Sequence, residues 1–290
     1  MSTTRQRKPD WLKVKIPAGE RYRRVRGAVR GMELHTVCQE ARCPNVGECW
    51  EHGTATFLIL GVTCTRGCRF CAVSRGDPGG AVDRDEPGRV ATAALQMELD
   101  YVVITSVTRD DLTDGGASVF ADSVAAIKAL DPAPLVELLI PDLRGSDLEA
   151  VLDARPDVLA HNIEVVEHLT QTLRHARFDY RRSLSVLEQA AARGEAITKS
   201  SIMVGLGETA KDVISAMRDL RGVGVRILVL GQYLQPTRAH AEVVQFVPPE
   251  QFDAWADQGR EMGFEFVAAG PLVRTSYRAA EAYSKRLVEG

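Results

Sequence analysis

All six cysteines of this 290-residue chain lie between Cys38 and Cys71, in two triplets of different spacing. The first runs Cys38-Gln-Glu-Ala-Arg-Cys43-Pro-Asn-Val-Gly-Glu-Cys49, a C-x4-C-x5-C. The second runs Cys64-Thr-Arg-Gly-Cys68-Arg-Phe-Cys71, a C-x3-C-x2-C directly after the apolar run Phe57 to Val62. Cysteine that merely fills a core is scattered, so thiols crowded into one stretch point to metal. A cubane iron–sulfur cluster takes four ligands and each triplet offers three, leaving one iron of each for another group. An open position on a metal centre is a catalytic arrangement, whereas structural centres are closed.

At Cys64, Cys68 and Cys71, three thiolates can hold three irons of a [4Fe–4S] cluster. The amine and carboxylate of S-adenosylmethionine can chelate the fourth. An electron passed to the sulfonium then yields a 5′-deoxyadenosyl radical, chemistry that belongs to the cofactor and that the protein only positions. Phe70, just before the last cysteine, completes a C-x3-C-x-aromatic-C pattern that resembles the signature of radical S-adenosylmethionine enzymes. A zinc site is the competing reading; the spacing and the strand-like run before the triplet argue against it.

The elements that must position these thiols alternate from residue 57 onward. Short β-rich runs are Phe57–Val62, Tyr101–Val107, Leu135–Ile140, Val158–His161, Ile197–Val204 and Val225–Leu230. Their Val, Ile and Leu content suits parallel strands buried on both faces. Helical patterns fall near 89–98, 117–130, 146–154, 183–193, 209–221 and 249–262. Six βα units without hairpin turns predict an α/β fold, a partial (β/α)6 barrel. An N-terminal extension over 1–52 would carry the first triplet, the barrel would span 53–262, and a C-terminal segment would cover 263–290. Polar residues gather after the strands: Cys64, then Ser106, Thr108 and Arg109, then Asp142, Asn162 and Glu164, Gly205 to Glu208, and Gln232 and Gln235. Barrels of this kind build active sites at those strand ends. Ser106, Asn162, Glu164 and Gln232 are expected contacts of S-adenosylmethionine beside Phe70, with Lys199 and Arg109 meeting its carboxylate. His35 and His52 flank the first triplet and could ligate a cluster, but beside six cysteines they read as surface or packing residues; Trp11 and Trp50 read as packing anchors.

The first triplet narrows the resemblance. Together with Lys8-Pro-Asp-Trp-Leu-Lys-Val before it and Gly53-Thr-Ala-Thr-Phe after it, it resembles lipoyl synthase. The likeness continues through Thr105-Ser-Val-Thr-Arg-Asp-Asp-Leu-Thr-Asp-Gly-Gly-Ala117, Val136-Glu-Leu-Leu-Ile-Pro-Asp142, Met203-Val-Gly-Leu-Gly-Glu208 and Gly231-Gln-Tyr-Leu-Gln-Pro236. It ends at Gly270-Pro-Leu-Val-Arg-Thr-Ser-Tyr277, so it covers nearly the whole chain. The resemblance implies insertion of two sulfur atoms, at carbons six and eight of an octanoyl chain carried on a lysine of a lipoyl carrier. Such carriers are the lipoyl domains of 2-oxo acid dehydrogenase E2 subunits and the glycine cleavage H protein. It also implies two [4Fe–4S] clusters. The one on Cys38, Cys43 and Cys49 would be consumed as sulfur donor, and reduction would come from a carrier such as ferredoxin or flavodoxin. The family's fourth auxiliary ligand is a serine of an Arg-Ser-Ser-Tyr motif; here Arg274-Thr275-Ser276-Tyr277 puts threonine first and leaves Ser276 as the expected ligand.

Composition agrees with a globular enzyme: 45% hydrophobic, 26% charged, net charge −3. No apolar stretch approaches a membrane span and no signal-like apolar region opens the chain, so a cytoplasmic location without a membrane partner is expected. Residues 1–30 hold seven Arg and three Lys against Asp10 and Glu20, a local +8 that leaves −11 for the rest. Such an arm suits nucleic acid or an acidic protein surface, or is simply a solvated leader; Pro9, Asp10 and Trp11 do not suit a transit peptide, and no nucleic-acid partner is expected. A biotin synthase-like enzyme would not explain the upstream triplet, an RNA methylthiotransferase would add an RNA-binding domain, and a zinc interaction module would lack the βα pattern.

Overall fold

In the computed structural model, which describes residues 7–13, 19–41, 43–51 and 55–276, the β-rich runs pair into one open sheet. Its strands are β1 (His35–Thr36), β2 (Thr56–Ile59), β5 (Tyr101–Ser106), β6 (Leu135–Leu139), β7 (Val158–Ala160), β8 (Ile197–Val204), β9 (Ile227–Gln232) and β10 (Phe266–Gly270). They stand side by side in that order. From β2 to β10 every pairing is parallel; β1 runs antiparallel along the outer edge of β2. A separate parallel pair, β3 (Thr63–Cys64) and β4 (Ser74–Arg75), closes the loop that carries the second triplet. All six predicted strands form. A seventh parallel strand, β10, was not predicted, and it arises from residues assigned to the C-terminal segment.

The helices are α1 (Glu20–Gly31), α2 (Val37–Glu40), α3 (Val46–Glu51), α4 (Glu86–Gln96), α5 (Ala117–Lys128), α6 (Ser146–Asp153), α7 (Glu167–Leu173), α8 (Tyr180–Arg193), α9 (Ala210–Gly222) and α10 (Pro249–Glu261). They cover the outer face of the sheet in two clusters. Val102, Ile104 and Leu138 meet Val90, Phe120 and Val124 of α4 and α5 on one side. Ile202, Leu228 and Leu230 meet Val213, Met217 and Phe252 of α9 and α10 on the other. Helix starts follow local chemistry: Thr209 and Asp212 form a capping box for α9, and Asp179 accepts from Arg182 N at α8.

Side chains alternate across each strand, so the residues between those core positions point inward. Val158, Ile197, Ile227 and Val229 form an apolar inner cluster. Beside it, Lys199 Nζ lies 2.8 Å from both oxygens of Glu137, which also accepts from Tyr101 Oη at 2.6 Å. Two residues further along their strands, Leu139 and Ser201 line an open cavity. Sequence period and sheet register thus place a sealed ionic layer beneath the floor of the site.

Candidate active site at the strand ends

The second triplet is pinned by groups on both sides of its loop. Thr65 N and Thr65 Oγ1 donate to Thr108 O at 3.0 and 2.9 Å. Arg66, inside the triplet, forks onto Asp110 at 2.9 and 2.8 Å and reaches Asp142 Oδ2 at 2.9 Å, which ties the loop to the ends of β5 and β6. Phe178 is sandwiched between the Arg66 and Arg174 guanidinium groups, 4.2 and 4.0 Å from its centroid. On the other flank Arg69 N donates to Leu173 O and Ala241 N to Arg69 O. His240 Nε2 donates to Cys71 O at 2.9 Å, leaving Nδ1 to accept from Thr237. Backbone amides point at sulfur as well: Arg66 N to Cys64 Sγ and His175 N to Cys68 Sγ, both 3.4 Å.

The first triplet is built on two short helices. Cys38 lies in α2, whose start is capped by Thr36, and Cys49 in α3; Cys43 sits between them, its N–H donating to Cys38 O at 3.0 Å. Trp50 anchors the unit in the core, its ring 5.3 Å from Tyr22 of α1. Asn45 Nδ2 donates to Leu272 O at 2.5 Å, joining this unit to the segment after β10.

A cavity of about 410 Å³ lies between the two triplets. It is lined by Cys38, Cys43, Cys49, Cys71 and Phe70, by the strand-end residues Asn162, Glu164 and Gln232, and by Arg274, Thr275 and Ser276. Cys64 and Cys68 are outside its lining but close enough to Cys71 for each thiol to oppose ionisation of the next. Burial pushes Cys71 up to about 12 and Cys68 to about 11, with the neighbouring thiols adding to the shift at both. Burial and then Cys43 push Cys38 to about 11.

All six thiols are free of disulfides. Half-buried thiols gathered one beside another are suited to a cation that offsets their charge, and soft sulfur donors suit iron–sulfur centres. Among the described residues no three His, Cys, Asp or Glu side chains converge on a single ion.

The other expected contacts divide. Asn162 and Glu164 both face the cavity. Asn162 Nδ2 donates to Glu164 Oε1 at 3.2 Å and Thr275 Oγ1 at 3.0 Å, while its buried Oδ1 has no partner among the described residues. Glu164 has a left-handed backbone, φ +66°, a strained conformation of the kind that gathers at functional sites. Burial raises its carboxyl despite Arg174 and Asn162. Gln232 lines the cavity, yet its amide is committed to Tyr233 O, Gln245 O and Val247 N. Ser106 Oγ is buried, unpartnered among the described residues, and outside the cavity lining.

Lys199 and Arg109 correct the expectation that they meet a cofactor carboxylate. Lys199 is sealed against Glu137, and Arg109 is spent on Asp111, Leu60 O and Ala81 O. Arg66, Arg174, His175, Phe178 and His240 were not anticipated. Arg66 was signalled only by its place inside the triplet; the others act through backbone atoms and stacking that no motif records. His52 and Tyr277 lie outside the described residues.

Comparison with known proteins bears on this arrangement. The family profile described as Radical SAM superfamily matches residues 58–220, and that of the N-terminal domain of lipoyl synthase of the Radical_SAM family matches residues 1–43. The lipoyl synthase of Anaeromyxobacter dehalogenans is 52% identical over 286 residues, 98% of this chain and 97% of its own. The chain belongs to the lipoyl synthase family of radical SAM enzymes. The lipoyl synthase of Thermus thermophilus is 54% identical over 95% of this chain and 86% of its own length. Among solved structures, SuiB of Streptococcus suis bound to S-adenosylmethionine superposes with a TM-score of 0.57 at 10% identity, over 77% of this chain and 52% of that one. The hydrogenase maturase HydG of Carboxydothermus hydrogenoformans gives 0.54 at 14%, over 74% and 53%. At such identities these two speak to the fold alone, the partial barrel. Membership makes the protein a sulfurtransferase and implies a [4Fe–4S] cluster and S-adenosylmethionine. Among the described residues no helix is long and apolar enough to cross a membrane.

Proposed function

We propose that the protein inserts two sulfur atoms, at carbons six and eight of an octanoyl chain amide-linked to a lysine of a lipoyl carrier. The observation that carries this reading is the single cavity wall shared by Cys71, the whole first triplet and Ser276. When bound, a cluster on Cys64, Cys68 and Cys71 supplies the electron that makes a 5′-deoxyadenosyl radical from S-adenosylmethionine, and a second on Cys38, Cys43, Cys49 and Ser276 supplies the sulfur. The chain's own residues then have positional work. Arg66, Asp110 and Asp142 fix the radical-generating loop to the strand ends, and Phe70, Asn162 and Glu164 border the space for the cofactor. Asn162 keeps an unmet acceptor and Glu164 a buried carboxyl, both suited to donor groups of the methionine end. Val37, Leu139, Met203 and Val273 give the same cavity apolar wall, as an alkyl chain without polar handles requires. Carriers would be 2-oxo acid dehydrogenase E2 lipoyl domains and the glycine cleavage H protein, with ferredoxin or flavodoxin as reductant.

Anaerobic reconstitution followed by iron and sulfide counting tests this, with S-adenosylmethionine, a reductant and an octanoyl-lysine peptide then added. The expected result is about eight irons per chain, 5′-deoxyadenosine, and a peptide heavier by two sulfurs. Deoxyadenosine without sulfur insertion would discard the substrate, and tightly held zinc in colourless protein would discard the reaction.

A further inference from the structure

Two cations of the cavity wall, Lys8 and Arg274, have no part in the account above, and Lys8 is exposed. Arg274 lines the same space as Cys43 and Ser276. Its Nη1 donates at 2.7 Å to Val273 O, the carbonyl of the preceding residue. Among the described residues no carboxylate pairs with it. Arg109, which is buried, and Arg66, which like Arg274 is half-buried, each carry a carboxylate partner. A guanidinium keeps its proton and offers five donors in a rigid fork. Holding it half-buried in the cavity wall without a counter-ion is costly, so the arrangement suits negative charge beside it in the cavity. A cubane core held by thiolates and an alkoxide is anionic overall, and Cys43 and Ser276, on the same wall, are expected ligands of such a centre.

We propose that Arg274 is the counter-charge of the iron–sulfur centre on the first triplet, a positioning residue that offsets the charge gathered by its ligands and so retains the centre in the chain. This rests on the reading of the first triplet given above. The position suits the role: Asn45 fixes Leu272 and Asn162 fixes Thr275, so Arg274 is held from both sides.

The test compares wild type, Arg274→Gln and Arg274→Lys, all full-length and reconstituted anaerobically. Release of iron to a chelator is followed together with the midpoint potential of each centre. Arg274→Gln is expected to release first-triplet iron at least tenfold faster while keeping the iron at Cys64, with the potential of the first-triplet centre moved negative. Arg274→Lys, which keeps the charge but not the fork, should restore most of both. Unchanged release and potential in Arg274→Gln would overturn the proposal, as would a lysine variant no better than glutamine. Weaker S-adenosylmethionine binding with unchanged iron release would assign the guanidinium to that cofactor's carboxylate instead. A Cys38, Cys43 and Cys49 triple alanine variant separates the two levels: if it binds as much iron as wild type, the reading of the first triplet itself fails.

Discussion

Asn162 Nδ2 donates to Thr275 Oγ1 at 3.0 Å, so the threonine hydroxyl is already an acceptor for the barrel. Ser276 lines the cavity next to it with no hydrogen bond among the described residues, which supports it as the hydroxyl free to meet iron. An alkoxide is a harder ligand than a thiolate and suits an iron–sulfur centre less well. Ser276 is therefore the expected weak corner, where the centre opens to the substrate. Ser276→Cys should hold its iron as tightly as wild type yet transfer sulfur at least tenfold more slowly; turnover at the wild-type rate would remove serine from that role. The cysteines stood out because six soft ligands fall in two spacings within one stretch, and one cavity lining gathers four of them. Lys199 is expected at a cofactor carboxylate from the sequence because a single chain displays no partner; only the sheet brings Glu137 across to pair with it.

Among the loops and strands, the second triplet depends on carboxylates far away in sequence. Arg66 holds Asp110 down to about 2; at Asp142, burial opposes ionisation, but His161, Arg174 and Arg66 outweigh it and bring the carboxyl also to about 2. Unfolded aspartate titrates near ~3.9. Both groups therefore add stability that is complete above about pH 4 and is lost as pH falls towards 2, on the order of 2 kcal/mol each and not additive because they share Arg66. Asp142→Asn should be less stable than wild type to urea at pH 7, since Arg66 and Arg174 lose their counter-charge, and the gap should narrow by pH 3. Parallel profiles would exclude this account. Strand β10 shows why the rest of the fold was less legible: Phe266-Val-Ala-Ala-Gly270 has little of the β-branched character that marked the other strands. Its consequence is local. A Cβ on Gly231 would stand 2.2 Å from Val273 O, so this glycine lets the segment after β10 cross the strand ends. Gly231→Ala should displace that segment and break the Asn45 and Asn162 tethers. Far-UV circular dichroism should be preserved, while first-triplet iron is lost and sulfur insertion falls at least tenfold; full iron content would contradict it.

Across the whole molecule, charge and active site are linked through α1. Val25 and Val29, four residues apart, bury one face of this helix in the core that also holds Trp50 and Cys49. The opposite face leaves Arg21, Arg23, Arg24, Arg26 and Arg30 exposed. Of these, Arg24 meets a carboxylate, Glu98, at 3.9 Å, a loose exposed pair worth little. We propose that this basic face is the dock of an acidic carrier, a reading that rests on its charge and on the contact of α1 with α3 of the first-triplet unit. Complementary charge of this kind acts mainly on encounter and is screened by salt. Replacing Arg23, Arg24 and Arg26 together by Glu should raise KM for an octanoylated carrier about tenfold and abolish its rise with ionic strength, while KM for a short octanoyl-lysine peptide stays as in wild type. The peptide reaches the same cavity without the carrier's surface, so an equal rise for both substrates would place the defect inside the site and refute docking through α1.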